Sequence, residues 1–358
     1  MIRHRPHGIG HPYRIEPDQR VPPIPVADEP YELRATTDAS VRSVKVEVVS
    51  NGHTALLDAL PSGPESITSG GQGHLAAASA ESGTSNRRFW VARPDALNFG
   101  SGVRYRFVGD GRAGGQKTRW FHFTPARWQA TGGRLAFEPS EPRRLRPNSV
   151  AWLVGSNGPL RVRLALRLQP NEHVVGFGER FDSLDQRGRA FDAIVYEQYK
   201  AQGNRTYLPM PFAIVTGGEG WGFHVATSRR TWFDVGVRDP NELWIEAAVD
   251  PEQPDPTLQI ELFEGAPHEV LRAFLQRTGR SKLPPDWVFR PWMSGNEWNT
   301  QERVIAEVER SRVENIQVEN SGNASADGIE ARTSQDDLSR GRGWRNERER
   351  YARPNDIG

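Results

Sequence analysis

The sequence predicts a mainly β protein with three structured parts in order: an immunoglobulin-like β-sandwich, a larger antiparallel β-sandwich, and the first β/α unit of a parallel α/β structure. Apolar residues alternate with charged residues in many short segments, as they do in half-buried strands. The 358 residues include eleven Trp, fifteen Phe and seven Tyr, a composition that favours sheets. After Phe263 the apolar period changes from two to that of a helix.

Composition excludes several classes of protein. The net charge is +1, from 46 basic and 45 acidic residues, so no overall charge attracts nucleic acid or a membrane surface. There are no cysteines, which excludes disulfides, thiolate catalysis and Cys-based zinc sites. No cofactor or metal is predicted. Because no secretory h-region and no long apolar span is visible, we expect a cytoplasmic protein.

The opening segment, residues 1–24, is predicted to be disordered. It holds His4, His7 and His11 among Arg, Pro and Gly residues. A metal site is conceivable there. Since no strand or helix is predicted to fix the imidazoles, the composition favours a disordered tail.

The first sandwich is predicted over residues 25–131. Apolar and charged residues alternate at 44–48 and at 103–107, which predicts two half-buried strands. Aromatic segments predict two more strands at 89–91 and 120–123. A Gly- and Ser-rich mobile loop is expected at 61–85. The aromatic residues either bind a glycan or fill the core, and the second interpretation is favoured.

The second sandwich is predicted over residues 132–282. Its clearest strand is 160–168, where aliphatic residues face one way and three arginines the other. A strand at 174–181 is followed by about thirty mostly polar residues; when ordered, a loop of this length is usually a binding loop. Five further strands are predicted at 212–216, 222–226, 231–235, 243–249 and 258–263.

The helical period begins at Pro267, and Gly279 is placed to end that helix. A Pro-containing linker then leads into a nearly all-apolar strand at 287–293. Asn299, with Glu302 three residues later, is predicted to cap a second helix. A strand that is apolar on both faces and is followed by a helix is typical of the first unit of a parallel α/β structure, here 283–316.

Four motifs in this order resemble glycoside hydrolase family 31, the alpha-glucosidase and alpha-xylosidase family. They are Gly176-Phe-Gly-Glu-Arg-Phe181, the Tyr- and Gln-containing loop after it, Gly220-Trp-Gly-Phe-His-Val225, and Pro-Pro-Asp-Trp287 with Trp292-Met-Ser-Gly-Asn-Glu-Trp298. The resemblance covers roughly residues 133–316. It implies a galactose-mutarotase-like sandwich over 132–282, followed by the start of a (β/α)8 barrel.

The resemblance also implies where sugar binds. Residues Glu197, Gln198 and Tyr199 of the long loop would contact an alpha-linked oligosaccharide or glycoside at the barrel mouth. Asn296 and Trp298, at the end of the first barrel strand, would line the inner pocket. The competing interpretation is that Tyr199 and Trp298 only pack locally.

The sequence departs from the family pattern after Ile316. Residues 317–358 have no period and are predicted to be disordered. The resemblance implies two catalytic aspartates on later barrel strands, so we expect none in this chain and no hydrolysis by the chain alone. The remaining candidate acids are Glu179, Asp182, Asp185, Asp192 and Glu197 in or near the long loop, and Glu297 after the barrel strand. The favoured interpretation is that Glu179 and Arg180 form a structural ion pair and that the other loop acids are solvated.

Three functional hypotheses stay open. The chain is the front part of an alpha-glycosidase, a non-catalytic sugar-binding module, or a fragment that needs a barrel from a partner chain. The order of the motifs favours the first hypothesis. An apolar strand at 287–293 without neighbours also predicts poor solubility from Pro285 onward.

Overall fold

A computed structural model describes residues 1–8, 16–62, 87–94, 102–111, 115–138, 143–195, 203–250, 252–289, 295 and 298–314. The chain divides into two compact units, residues 1–278 and 279–358. Within the described residues, the first unit is built of β-strands and one α-helix, as the sequence predicts. Within the described residues no helix has both the length and the apolar composition needed to cross a bilayer.

The first sandwich is one sheet that folds back on itself. In the described residues its strands are β1 Ile2–Arg3, β2 Arg20–Val21, β3 Glu32–Asp38, β4 Val41–Ser50, β5 His53–Ser62, β6 Arg87–Ala92, β7 Val103–Gly111, β8 Gln116–Lys117 and β9 Phe121–Phe123. Strand β5 joins the two halves, because its start pairs with β4 and its end with β6. The alternating residues of β4 and β7 point inward, which confirms the predicted pattern.

Aromatic side chains fill the core between these two halves. Tyr105 and Phe107 of β7 are fully buried, and Tyr105 stacks on Phe121 with ring centroids 5.6 Å apart. Phe123 and Trp90 belong to the same cluster. The interpretation that these aromatics fill the core is therefore confirmed for the described residues. The predicted loop at 61–85 lies, beyond Ser62, outside them.

The prediction of disorder over 1–24 is wrong for the described residues 1–8 and 16–24. Strand β1 pairs with β3, and His4 is buried, with Nδ1 2.6 Å from the Arg34 carbonyl oxygen and Nε2 2.7 Å from the Tyr105 hydroxyl. Arg5 donates to the Asp18 carboxylate at 2.8 Å. These partners are distant in sequence, so local composition gave no sign of them. His11 lies outside the described residues.

The second sandwich contains two sheets. The strands of the six-stranded sheet, in spatial order, are β10 Arg127–Gln129, β12 Ala151–Gly155, β13 Gly158–Arg167, β19 Glu242–Ala248, β18 Thr231–Val235 and β15 Arg189–Ala193. Those of the five-stranded sheet are β11 Arg134–Glu138, β20 Thr257–Glu264, β17 Trp221–Val225, β16 Pro209–Thr216 and β14 His173–Gly178. All neighbours are antiparallel except β11 and β20. The sandwich strands predicted between residues 160 and 263 are confirmed.

The boundary between the sandwiches lies before the predicted residue 132. Strand β10 already belongs to the six-stranded sheet, where it pairs with β12. Just before it, Ala126 packs with Val26 and Leu153 in a small apolar cluster that joins the sandwiches. A three-residue strand is too short to show a period, so the sequence does not reveal it.

Helix α1, Pro267–Thr278, covers the outer face of the five-stranded sheet. Its buried Val270 and Phe274 pack on that sheet, and Phe274 stacks on Phe212 with centroids 4.0 Å apart. Glu269 accepts a hydrogen bond from the Ala266 backbone N–H at 2.8 Å, and Gly279 ends the helix with φ +97°. The predicted helix and both of its end signals are confirmed.

The second unit contains a short 3-10 helix, Asp286–Phe289, and helix α2, Gln301–Val313. The predicted strand 287–293 is therefore wrong for its described residues 287–289: the Val288 N–H donates to the Pro285 carbonyl at 3.0 Å and closes a turn. Two prolines before this turn fix φ near the helical value, which favours it. Helix α2 is confirmed, but its cap is Thr300, whose Oγ1 accepts from the Arg303 N–H at 3.3 Å, and not Asn299. Residues 290–294 and the tail 317–358 lie outside the described residues.

Candidate functional site

The segment 179–208, predicted as one long loop, contains the unpredicted strand β15, which pairs with β18. We name the whole segment the loop 179–208. It starts from a strained and buried aromatic residue. Phe177 has φ +68°, a left-handed conformation that non-glycine residues rarely adopt. Its side chain is buried among three other Phe rings, with centroid distances of 4.5 Å to Phe191 and 4.7 Å to Phe233. At Gly178 a Cβ would collide with the Leu208 carbonyl, so only glycine fits between the two ends of the loop. The Gly-Phe-Gly motif thus fixes the direction in which the loop leaves the sheet.

Arg180 holds the first part of the loop. Its guanidinium lies 4.4 Å from the centre of the Phe191 ring and is almost completely buried. It donates to Asp182 at 2.8 Å, to Gln186 at 2.9 Å and to the Gly203 carbonyl at 3.0 Å. The predicted Glu179–Arg180 ion pair is wrong. Arg180 instead pairs with Asp182 at 2.8 Å, just beyond the end of strand β14 at Gly178.

Asp185 and Asp192 also hold structure in place. Asp185 accepts from the Val174 and Arg187 backbone N–H groups at 3.1 and 3.0 Å and lies 2.7 Å from His173 Nδ1. Asp192 is buried and pairs with Arg205 at 3.2 Å and with Arg230 Nε at 2.8 Å. The prediction that the loop acids are simply solvated is therefore wrong for these two residues and for Asp182.

These environments do not suit a general acid. Burial alone would raise the pKa of Asp182, but the hydrogen bond and the charge of Arg180 outweigh it and leave the pKa below its usual value. For Asp185, burial is likewise outweighed by hydrogen bonds from the Arg187 N–H and from His173, so its pKa is also lowered. A catalytic acid needs its pKa raised.

The base of the loop is closed by backbone contacts. Val195 and Thr206 form an isolated bridge, and the Asp192 N–H donates to the Asn204 carbonyl at 2.8 Å. The Thr206 hydroxyl donates to the Glu179 carbonyl. Three predicted contact residues lie between these fixed flanks but outside the described residues: Glu197, Gln198 and Tyr199. Asn296 also lies outside them.

Trp298 is the one predicted site residue that the structure describes. It is half-buried and belongs to the second compact unit. Its backbone N–H donates to the Gly295 carbonyl at 2.9 Å. Its ring covers that glycine so closely that a Cβ added to Gly295 would lie 2.8 Å from a ring atom. These contacts are local, as the competing interpretation of Trp298 expects.

A second group of side chains, on the outer face of the six-stranded sheet, was missed by sequence reasoning. Trp232 and Trp244 point outward while their neighbours Phe233 and Ile245 are buried. Arg161 lies 4.5 Å from the Trp232 ring centre. The sequence does contain a sign of this group: the apolar alternation of the predicted strands 231–235 and 243–249 puts both indoles on the outward face. We name this group the Trp–Arg groove, with its principal side chains Arg161, Arg163, Asp192, Trp232, Asp234 and Trp244.

No group of three or more His, Asp or Glu side chains in the described residues is placed to hold a metal ion. Comparison with known families gives two matches. Residues 114–234 match the glycosyl hydrolase 31 N-terminal galactose mutarotase-like domain. Residues 8–109 match the 1,3-alpha-isomaltosidase-like N-terminal domain. The chain contains a glycoside hydrolase family 31 N-terminal region.

Relatives along most of the chain agree with this assignment. The family 31 region is 45% identical over 321 residues to a 1,3-alpha-isomaltosidase of Kribbella flavida, covering 87% of this chain and 42% of the relative. A solved structure, the cycloalternan-degrading enzyme from Trueperella pyogenes in complex with cycloalternan, matches with 40% identity and a TM-score of 0.74, over 88% of this chain and 44% of that one. The chain thus spans less than half the length of these relatives. The predicted family and the mutarotase-like second sandwich are confirmed.

Proposed function

We propose that this family 31 region is the carbohydrate-binding front part of a retaining alpha-glycosidase. The observation that carries the proposal is the loop 179–208, whose two ends are fixed by Phe177, Arg180 and the Val195–Thr206 bridge. A loop that is held at its base on a rigid sandwich is suited to present side chains to a ligand. Between these fixed ends the sequence carries a carboxylate, an amide and a phenol in succession, groups that donate to and accept from sugar hydroxyls.

The proposed ligand is an alpha-linked glucose oligosaccharide that contains isomaltose units. The Kribbella relative is named a 1,3-alpha-isomaltosidase, and the Trueperella enzyme has been solved both with cycloalternan and with isomaltose. Glu197, Gln198 and Tyr199 would form the rim of the binding cleft. Asn296 would donate to and accept from hydroxyls, and the Trp298 indole would stack on a sugar face.

We further propose that this chain binds sugar without hydrolysing it. A retaining mechanism needs two carboxyl groups about 5–5.5 Å apart, one of them with a raised pKa. Asp182, Asp185 and Asp192 are instead held by arginines, histidine and backbone N–H groups. Hydrolysis would then depend on carboxylates other than these. A partner chain that supplies a barrel and a cytoplasmic location both stay predictions.

Calorimetric titration of the purified chain with isomaltose tests the binding proposal. Trp298→Ala and Glu197→Gln should each weaken binding at least tenfold, because each removes one contact to the sugar. Glu179→Gln is the matched control, since Glu179 is an exposed carboxylate at the start of the same loop. Unchanged affinity in both test variants would refute the assignment of the rim.

A hydrolysis assay tests the second part of the proposal. With p-nitrophenyl alpha-glucoside and alpha-xyloside we expect no turnover above a control that contains only residues 1–278. Turnover that disappears in Glu197→Gln or Glu297→Gln would show instead that these acids form a catalytic pair.

A further inference from the structure

The Trp–Arg groove has the dimensions of a small-ligand site. It crosses strands β13, β19, β18 and β15, and its volume is about 370 Å³. This volume lies near the lower end of the range for small-molecule sites, about 300–1,000 Å³. Strand register sets its pattern: Trp232 lies opposite Glu246, and Asp234 lies opposite Trp244. Aromatic and acidic side chains therefore alternate across the groove.

The two indoles of the groove differ in how their faces are covered. Trp232 has two guanidinium groups close to its ring centre, Arg161 at 4.5 Å and Arg230 at 4.9 Å. Trp244 has Arg163 at the longer distance of 5.9 Å. The Trp244 indole N–H donates to the Glu242 carboxylate at 2.7 Å, which fixes the orientation of the ring. Among the described residues, Trp244 is thus a fixed aromatic platform whose face is less covered by guanidinium groups than that of Trp232.

The charges that line the groove balance. Its lining includes three arginines and three acids: Arg161, Arg163, Arg238, Asp192, Asp234 and Glu246. A phosphate or nucleic-acid site would have an excess of positive charge. Most of these charges pair with each other or with neighbours, Arg161 with Glu246 at 2.8 Å and Arg238 with Asp234 at 3.3 Å, so the groove does not select an ionic ligand. Charge-neutral walls beside an aromatic face suit a neutral ligand with many hydroxyl groups and an apolar ring face.

We propose that the Trp–Arg groove is a second carbohydrate-binding surface that takes a neutral alpha-linked oligosaccharide. One sugar ring stacks on Trp244. Arg163 donates to hydroxyls of the neighbouring sugar, and Asp234 accepts from them. The ion pairs of Asp192 with Arg205 and Arg230 hold the far wall, next to the base of the loop 179–208. None of the rim residues takes part, so this surface is tested separately from the proposed function.

Oxidative footprinting of the full chain, read by mass spectrometry, tests the groove directly. Saturating isomaltose or maltotriose should lower the oxidation rate of Trp244 at least threefold. Trp120 is the matched control: it is a half-buried indole under Arg104 and Arg106 in the first sandwich, and its rate should not change. Unchanged oxidation of Trp244 with both sugars would overturn the proposal. Protection by inorganic phosphate and not by either sugar would also overturn it.

Variants separate the groove from the rim and from effects on folding. In Trp244→Ala the sugar-dependent protection of Trp232 should disappear, and in Trp244→Phe, which keeps an aromatic face, part of it should return. Trp298→Ala should leave the protection of Trp244 unchanged even if it abolishes binding at the rim. Loss of groove protection in Trp298→Ala, or full protection of Trp232 in Trp244→Ala with an unchanged melting temperature, would contradict a separate site.

Discussion

The two sandwiches each bury an arginine on a phenylalanine ring, but for different purposes. In the first sandwich the Arg20 guanidinium lies 4.5 Å from the Phe123 ring centre and donates to the Pro23 carbonyl at 2.8 Å. In the second, Arg180 lies 4.4 Å from Phe191 and pairs with Asp182. Arg20 ties an early chain segment to the core, whereas Arg180 sets the path of the loop 179–208. The same pair of residue types thus builds support in one region and a candidate site in the other.

Among the variants that test this comparison, Phe177→Ala in the second sandwich should cause the largest loss of stability. The substitution removes a fully buried ring from a cluster of four phenylalanines and should lower the free energy of unfolding by about 3–5 kcal/mol. Urea denaturation measures this loss. Phe181→Ala is the matched control, because Phe181 lies four residues away with 77% of its surface exposed, and it should change stability by less than about 0.5 kcal/mol. Equal losses of unfolding free energy in Phe177→Ala and Phe181→Ala would mean that the ring cluster does not support the loop.

A smaller effect is expected when the loop loses an ion pair. In Asp192→Ala, Arg205 and Arg230 lose their shared carboxylate in a nearly buried setting, and we expect a loss of about 2–4 kcal/mol. Exchange of the backbone amide of residue 192 should also become faster, because its N–H donates to the Asn204 carbonyl. The exposed Asp250–Arg229 pair supplies the control, Asp250→Ala, which should cost about 0–1 kcal/mol. If Asp192→Ala and Asp250→Ala lose the same free energy of unfolding, the ion pairs of Asp192 do not hold the loop more firmly than an ordinary surface pair would.

Strands in which apolar and polar residues alternate were predictable from the sequence. Contacts between side chains that lie far apart in the sequence were not. The alternation at 160–168 predicted β13, because one buried face requires period two. The predicted Glu179–Arg180 pair was wrong because adjacency in sequence does not decide which side chains meet, and Arg180 binds Asp182 and the Gly203 carbonyl instead. The outward positions of Trp232 and Trp244 were missed because indoles are apolar and the pattern alone suggests that they are buried. The family motifs led to the loop, whereas its supporting acids became visible only in three dimensions.

The N-terminal segment was mispredicted for the same reason, and it gives the smallest expected effect. Burial lowers the pKa of His4 from its ordinary value of 6.5 to about 4, so the folded protein keeps this imidazole neutral while the unfolded chain protonates it below pH 6.5. The contribution of neutral His4 to the free energy of unfolding is therefore fully present above pH 6.5, and it is lost as the pH falls from 6.5 towards 4. The loss should be about 2 kcal/mol at pH 5.

Urea denaturation at pH 7 and pH 5 measures this loss, and comparison with variants separates His4 from carboxylates that titrate in the same range. His4→Gln should remove about 2 kcal/mol of the pH dependence, because an amide can keep a hydrogen bond to Tyr105 without taking up a proton. His53→Gln, at an exposed position of the same sandwich, should leave the pH dependence as it is. If His4→Gln and the parent lose the same stability between pH 7 and pH 5, the imidazole is not buried as a neutral group. The first sandwich would then hold its N-terminal segment through the pairing of β1 with β3 and through Arg5, Asp18 and Arg20.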